Sequence, residues 1–152
     1  MQRQAGFTLI ELVMVIVILG ILSAFALPRF ADLGSEARTA TVQAALGAVK
    51  AASAIAHADA LVSNQNTATG SVTLDGATIN LVNGYPAVDN TLAGTNDILT
   101  AAQISSADFT ITSTATAVTV AAAGGTGTCQ LVYTEATAVG TAPVITADTT
   151  GC

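Results

Sequence analysis

Hydrophobic and polar positions follow three different patterns along the chain. From Phe7 to Pro28 every residue is apolar except Thr8, Glu11, Gly20 and Ser23. Apolar side chains on every face of a helix mark a membrane span or a fully buried helix. At 1.5 Å per residue these 22 residues would run about 33 Å, close to the roughly 30 Å of a bilayer's hydrocarbon core. After Pro28 the pattern turns amphipathic. Val42, Leu46, Val49 and Ser53 share one helical face, flanked by Ala45, Ala48, Ala52 and Ile55, which are small enough for close approach to a sheet. The spacing predicts one helix from about Phe7 to about Ala60, with Gly20 and Pro28 as a weak stretch in it. Gly costs backbone entropy, and Pro removes a hydrogen bond and clashes with the preceding turn.

Beyond Asn64 the period shortens to two. Ser71 to Val82 reads as a hairpin about Asp75-Gly76, a dipeptide suited to a type I′ turn. With a two-residue loop Leu74 faces Ala77 and Val72 faces Ile79, while Thr73 faces Thr78 on the opposite side. Asn83-Gly84-Tyr85-Pro86 reads as a turn, and Asn96 to Gln103 as a short helix capped by Thr95 or Asn96. Alternation recurs at Asp108–Ser113, Ala117–Ala121 and Thr128–Thr134, where Cys129, Leu131 and Tyr133 share a face. One long helix followed by antiparallel strands makes the class α+β.

Composition narrows the function. Only 9% of residues are charged and 4% aromatic, so the surface carries few of the charges that keep soluble monomers apart, a hint of self-association. The formal charge is −6, and the four basic residues are Arg3, Arg29, Arg38 and Lys50. A nucleic-acid groove needs clustered Lys or Arg, so no nucleic-acid partner is expected. His57, the one histidine, has no ligand cluster near it and reads as a helix-end surface residue. With scattered single carboxylates it forms no catalytic constellation, so the chain is not read as an enzyme. Gly124-Gly125-Thr126-Gly127 is a glycine turn and not a phosphate cradle, since no Lys-Ser or Lys-Thr follows. No cofactor or metal is implied. Arg29, Asp32, Glu36, Arg38 and Lys50 read as a solvated helix face, with pairing between subunits as the alternative.

The two cysteines are Cys129 and Cys152. In an exported chain such a pair reads as a disulfide, in a cytosolic one as two thiols. The apolar N-terminus favours export. Closing a loop of this size would be worth about 3–4 kcal/mol.

Glu11 sets the N-terminal helix apart, because an uncompensated charge at bilayer depth costs several kcal/mol and calls for a partner. A secretory signal peptide cut after Ala24-Phe25-Ala26 would release a product beginning at Leu27, but places an acid early in its apolar region. A plain anchor leaves Glu11 unexplained.

A resemblance supplies a third reading. Gly6-Phe7-Thr8-Leu9-Ile10-Glu11, the apolar run and the Pro some twenty residues on resemble the class III prepilin signal of type IV pilins and their secretion-system relatives. The resemblance implies removal of a leader, residues 1–6, by a prepilin peptidase cutting between Gly6 and Phe7, with N-methylation of Phe7. Residues 7–28 would then be the transmembrane and filament-core helix. A head of residues 29–152 would comprise an amphipathic helix at about 29–60, a β-sheet region at about 70–136 and a disulfide-bounded loop at 129–152. Cys129 and Cys152 match the cysteines bounding that loop. The new Phe7 amine becomes the counter-ion for Glu11, either within one helix or on the adjacent chain, where only one axial offset neutralises both charges. Gly20 to Pro28 becomes a stretch that melts, or only kinks, when helices pack. The Gly-Tyr-Pro turn and the Cys-x-x-x-Tyr-Thr segment are similar to the mannose-sensitive haemagglutinin (MSHA) pilins.

The function so implied is a structural subunit polymerising into a type IV pilus for surface attachment and motility. Its implied partners are other copies of the chain, the prepilin peptidase, the pilus assembly platform and an outer-membrane secretin. Its implied location is the inner membrane with the N-terminus cytoplasmic, then the extracellular fibre. A type II secretion pseudopilin and a monomeric anchored adhesin are the alternatives.

Overall fold

A computed structural model describes residues 6–88, 97–125 and 128–152, without the side chains of 27–32. Helix α1 spans Leu9–Val62, close to the predicted helix, and its assignment runs through Gly20 and Pro28. Contacts divide the chain into two units, residues 1–36 and 37–152.

In the first unit the stretch Leu9–Ala26 has a mean hydropathy of 2.7 and none of it is buried. By length and composition it is long enough to cross a membrane. The side chains of Pro28, Arg29 and Asp32 lie outside the described residues, as do Arg3 and most of the leader.

The second unit is the head. The hairpin of β1 (Thr69–Leu74) and β2 (Ala77–Val82) has the register read from the sequence, with Leu74 opposite Ala77, Val72 opposite Ile79 and Thr73 opposite Thr78. Asp75 and Gly76 both take positive φ, 48° and 81°, as a type I′ turn requires. A second positive-φ pair, Asn83 at 54° and Gly84 at 82°, folds β3 (Tyr85–Pro86) back on β2. The tetrapeptide read as a turn is therefore half turn, half strand. Helix α2 covers Asp97–Ala101; its expected caps, Thr95 and Asn96, lie outside the described residues. Then come β4 (Phe109–Ser113), β5 (Ala117–Ala122), β6 (Gln130–Thr134) and β7 (Val144–Asp148).

The α+β class holds, with one refinement: the strands form two antiparallel sheets, one of three strands (β1-β2-β3) and one of four (β4-β5-β6-β7). The inner face of α1 serves both in turn. Val42, Ala45, Val49 and Ala52 join Val118, Val120, Leu131 and Tyr133 in one cluster. One turn further on, Ala56 and Ala60 join Val72, Ile79 and Leu81 in another. A helix that is mostly alanine on this face lets two sheets approach it closely. Ile55, expected on the flank of this face, is 58% exposed.

Cys129 and Cys152 form a disulfide, Cα–Cα 4.6 Å. The segment it closes is not simply a loop. It contains β6 and β7, and β7 pairs along β6 from Gln130↔Asp148 to Thr134↔Val144. The segment's end is also tied to α1, where Arg38 Nε donates to the Cys152 main-chain oxygen at 2.7 Å.

Candidate assembly site at the N-terminus

Thr8 and Glu11 form a reciprocal cap at the start of α1. The Thr8 N–H and hydroxyl both donate to Glu11 Oε2, at 3.0 and 2.8 Å, and the Glu11 N–H donates to Thr8 Oγ1 at 3.3 Å. This is the capping box, Thr-x-x-Glu, which satisfies amides that a helix start leaves orphaned. The carboxylate also lies at the positive end of the helix dipole, where an anion is favoured. Sequence reasoning singled out Glu11 and missed Thr8, although the Thr-x-x-Glu spacing ahead of an apolar run was there to be read.

Phe7 precedes the helix and is 88% exposed, with Gly6 exposed beside it. Phe7 therefore lies outside the first turn. The Gly6–Phe7 bond and the Glu11 carboxylate stand at the same open end of the apolar helix, with one carboxylate oxygen held by Thr8. Such an end offers an accessible peptide bond and an anion already oriented for a cation. A methyl group added at Gly20 would meet nothing within 4 Å, and the Pro28 side chain lies outside the described residues.

In the head, two residues have more definite roles than their sequence suggested. His57 is not a free surface residue. Its ring stacks on Tyr85 at 4.0 Å and 5° between planes, and its Nδ1 hydrogen-bonds the Gly84 carbonyl oxygen at 2.8 Å. Because a carbonyl only accepts, the proton sits on Nδ1. Tyr133 is fully buried and donates to the Pro86 carbonyl oxygen at 2.6 Å, with the Ser53 side chain nearby. Burial first, and then the Glu135 charge, push the Tyr133 hydroxyl above its ordinary range. Glu135 in turn accepts the Val88 N–H, and burial raises its carboxyl above the usual carboxylate value. Among the described residues no group of three or more His, Cys, Asp or Glu could hold a metal ion.

Residues 1–27 match the family model described as the prokaryotic N-terminal methylation motif. The chain is 56% identical over 59 residues to the type IV narrow pilus major component PilA5 of Thermus thermophilus, covering 39% of this chain and 51% of that protein. It is 52% identical over 52 residues to the type IV major alpha-pilin of Moraxella bovis, covering 34% and 33%. It is 36% identical over 107 residues to the fimbrial protein EcpC of Eikenella corrodens, covering 69% and 66%. The chain thus matches about half the length of the first relative and a third of the second. No solved structure matches it. The N-terminal apolar helix thus carries the prokaryotic N-terminal methylation motif, as the N-terminal matches to type IV pilins also indicate. Its similar relatives are pilins and fimbrial proteins.

Proposed function

We propose that the chain is a pilus subunit, of the MSHA pilin type. It is cut between Gly6 and Phe7, methylated on Phe7, and polymerised through its apolar helices into an extracellular filament serving attachment and motility. The observation that carries this reading is a single oriented carboxylate, Glu11, at the start of an apolar stretch, Leu9–Ala26, none of which is buried among the described residues. Such a helix has to be covered by lipid or by other helices. Moving from one to the other gains nothing from hydrophobicity, so packing and the charge pair must supply specificity. A Phe7 amine meeting Glu11 of an adjacent chain would fix one axial offset among many apolar ones. Before assembly the helix spans the inner membrane with its N-terminus cytoplasmic. Cleavage, assembly and passage outward call on the prepilin peptidase, an assembly platform and an outer-membrane secretin. Gly20 and Pro28 are the positions at which the helix would adjust as it packs.

The test is the mass of subunits from sheared cell-surface fibres. The expected mass is that of the chain from Phe7 to Cys152 with one methyl group and one disulfide. A subunit starting at Met1 or at Leu27, or the absence of long fibres containing this chain, refutes the reading.

A further inference from the structure

Two hollows flank α1 in the head. One, of about 320 Å³, runs along Lys50, Ala54, His57 and Leu61 and is closed by Pro143 and Ile145. The other, of about 210 Å³, is lined by Ala52, Ile55, Leu74, Asp75 and Ala101. Taking buried Val49 as the inward direction and about 100° per residue, Lys50 and Ala54 lie about 100–140° round the helix one way. Ile55 lies about 120° the other way. The two hollows overlap in height along the helix but open in different directions.

Their charges are complementary. Lys50 is exposed and has no carboxylate partner among the described residues. The other Lys or Arg of residues 37–152, Arg38, is already bonded to Cys152, and no Lys or Arg follows Lys50 in the sequence. Asp75 stands exposed at the tip of the β1–β2 hairpin, oriented by Gln103 Nε2 at 3.2 Å. Each charge shares its hollow with an exposed apolar side chain, Lys50 with Leu61 and Asp75 with Ile55. A copy that uses one of these surfaces toward one neighbour and the other toward a second neighbour joins head to tail. A head-to-tail contact that does not close on itself builds a helical filament.

We propose that the Lys50 groove of one copy receives the Asp75 hairpin tip of a second copy, as a lateral contact between heads. This rests on the subunit reading above and names the surfaces through which heads join. Zero-length carbodiimide cross-linking of sheared fibres is expected to join Lys50 to Asp75, with the cross-linked peptide present in fibres and absent from detergent-dispersed monomer. Lys50→Glu or Asp75→Lys alone should lower fibre yield more than about tenfold, since like charges are then juxtaposed. The two together should restore it, which also shows that neither change acts by unfolding the head. Joining of Lys50 to a different carboxylate in fibres, or undiminished yield from both single variants, overturns the contact while leaving the subunit reading in place. Absence of fibres from the unaltered chain overturns both.

Discussion

The Tyr133 hydroxyl donates to the Pro86 carbonyl oxygen at 2.6 Å, and through that bond the four-stranded sheet holds the three-stranded one. Tyr133 is on β6 and Pro86 on β3, while the Ser53 side chain of α1 lies near the same hydroxyl. A two-residue strand has little pairing of its own to fix it. The phenol, together with the Asn83 amide donating to the Ala136 carbonyl at 2.7 Å, supplies what the ladder lacks.

Tyr133→Phe leaves the ring in place and strands the buried Pro86 oxygen. The expected cost is about 1–3 kcal/mol, the penalty for an unsatisfied buried acceptor, read by denaturant unfolding of the native protein. The pH profile separates this from a general packing loss. The folded-state value of Tyr133 is raised above 10.0, so its contribution is complete below pH 10 and is lost as pH rises from there. The phenylalanine variant should lack that alkaline decline. An unchanged decline would assign it to other groups.

Glu135 has the opposite sign to an ordinary structural carboxylate. Burial raises its folded-state value above 4.5, outweighing the Val88 N–H that favours the anion. Its contribution is therefore present below pH 4.5 and is lost as pH rises through the raised value. Glu135→Gln keeps an acceptor for Val88 and removes the charge. The variant should be more stable than the parent at pH 7 and no more stable at pH 4. A variant equally destabilised at both would show that the carboxylate's geometry, and not its ionisation, matters at this site.

At the N-terminus the cap and the charge of Glu11 can be separated. Gln at this position still completes a capping box but carries no charge, whereas Thr8→Ala removes the cap and keeps the charge. If Glu11 acts as counter-ion in assembly, Glu11→Gln should insert and be cut after Gly6 yet yield no filaments. Thr8→Ala should cost about 1 kcal/mol of helix stability and still assemble. Fibre yield by electron microscopy, with N-terminal sequencing of the membrane pool, decides. Normal filaments from Glu11→Gln would remove the charge pair from the mechanism.

The sequence was most informative where local chemistry and burial agreed. The Asp75-Gly76 turn and the alternation around it set a register that the structure reproduces residue by residue, because a one-residue slip would turn Val72 and Ile79 out of the core. β7 carried no such signal. It is an edge strand lying mostly in solvent, with Val144 59% exposed, so its residues need not alternate, and only β6 makes it a strand. β3 was hidden for a related reason: Pro86 is held by Tyr133 and Tyr85 by His57, both far away in sequence. The division into two sheets rests on Ala56 and Ala60 facing a different cluster from Val49, which one continuous amphipathic stripe cannot reveal. At the candidate site the apolar helix and the unusual placement of Glu11 were legible from residue types, whereas the Gly6–Phe7 junction was singled out only through the resemblance to prepilin signals. The role of His57 was not legible, since the Asn83–Gly84 turn is what brings Tyr85 beneath its ring.

That turn gives a last test, because Gly84 and Gly76 have nearly the same backbone but different surroundings. Gly84 has φ +82° and Gly76 φ +81°. A methyl group at Gly76 would meet nothing within 4 Å, whereas one at Gly84 would run into the Asn66 side-chain amide, whose Cγ lies 3.0 Å away. Gly76→Ala should therefore cost only the left-handed conformation, about 1–2 kcal/mol. Gly84→Ala must pay that and also displace Asn66, whose Oδ1 is buried, while disturbing the carbonyl that holds His57. The prediction is a larger loss of stability at Gly84 than at Gly76, accompanied by a shifted His57 ring resonance in nuclear magnetic resonance spectra. Equal losses with an unmoved imidazole would mean that the Asn83–Gly84 turn does not position the His57–Tyr85 stack.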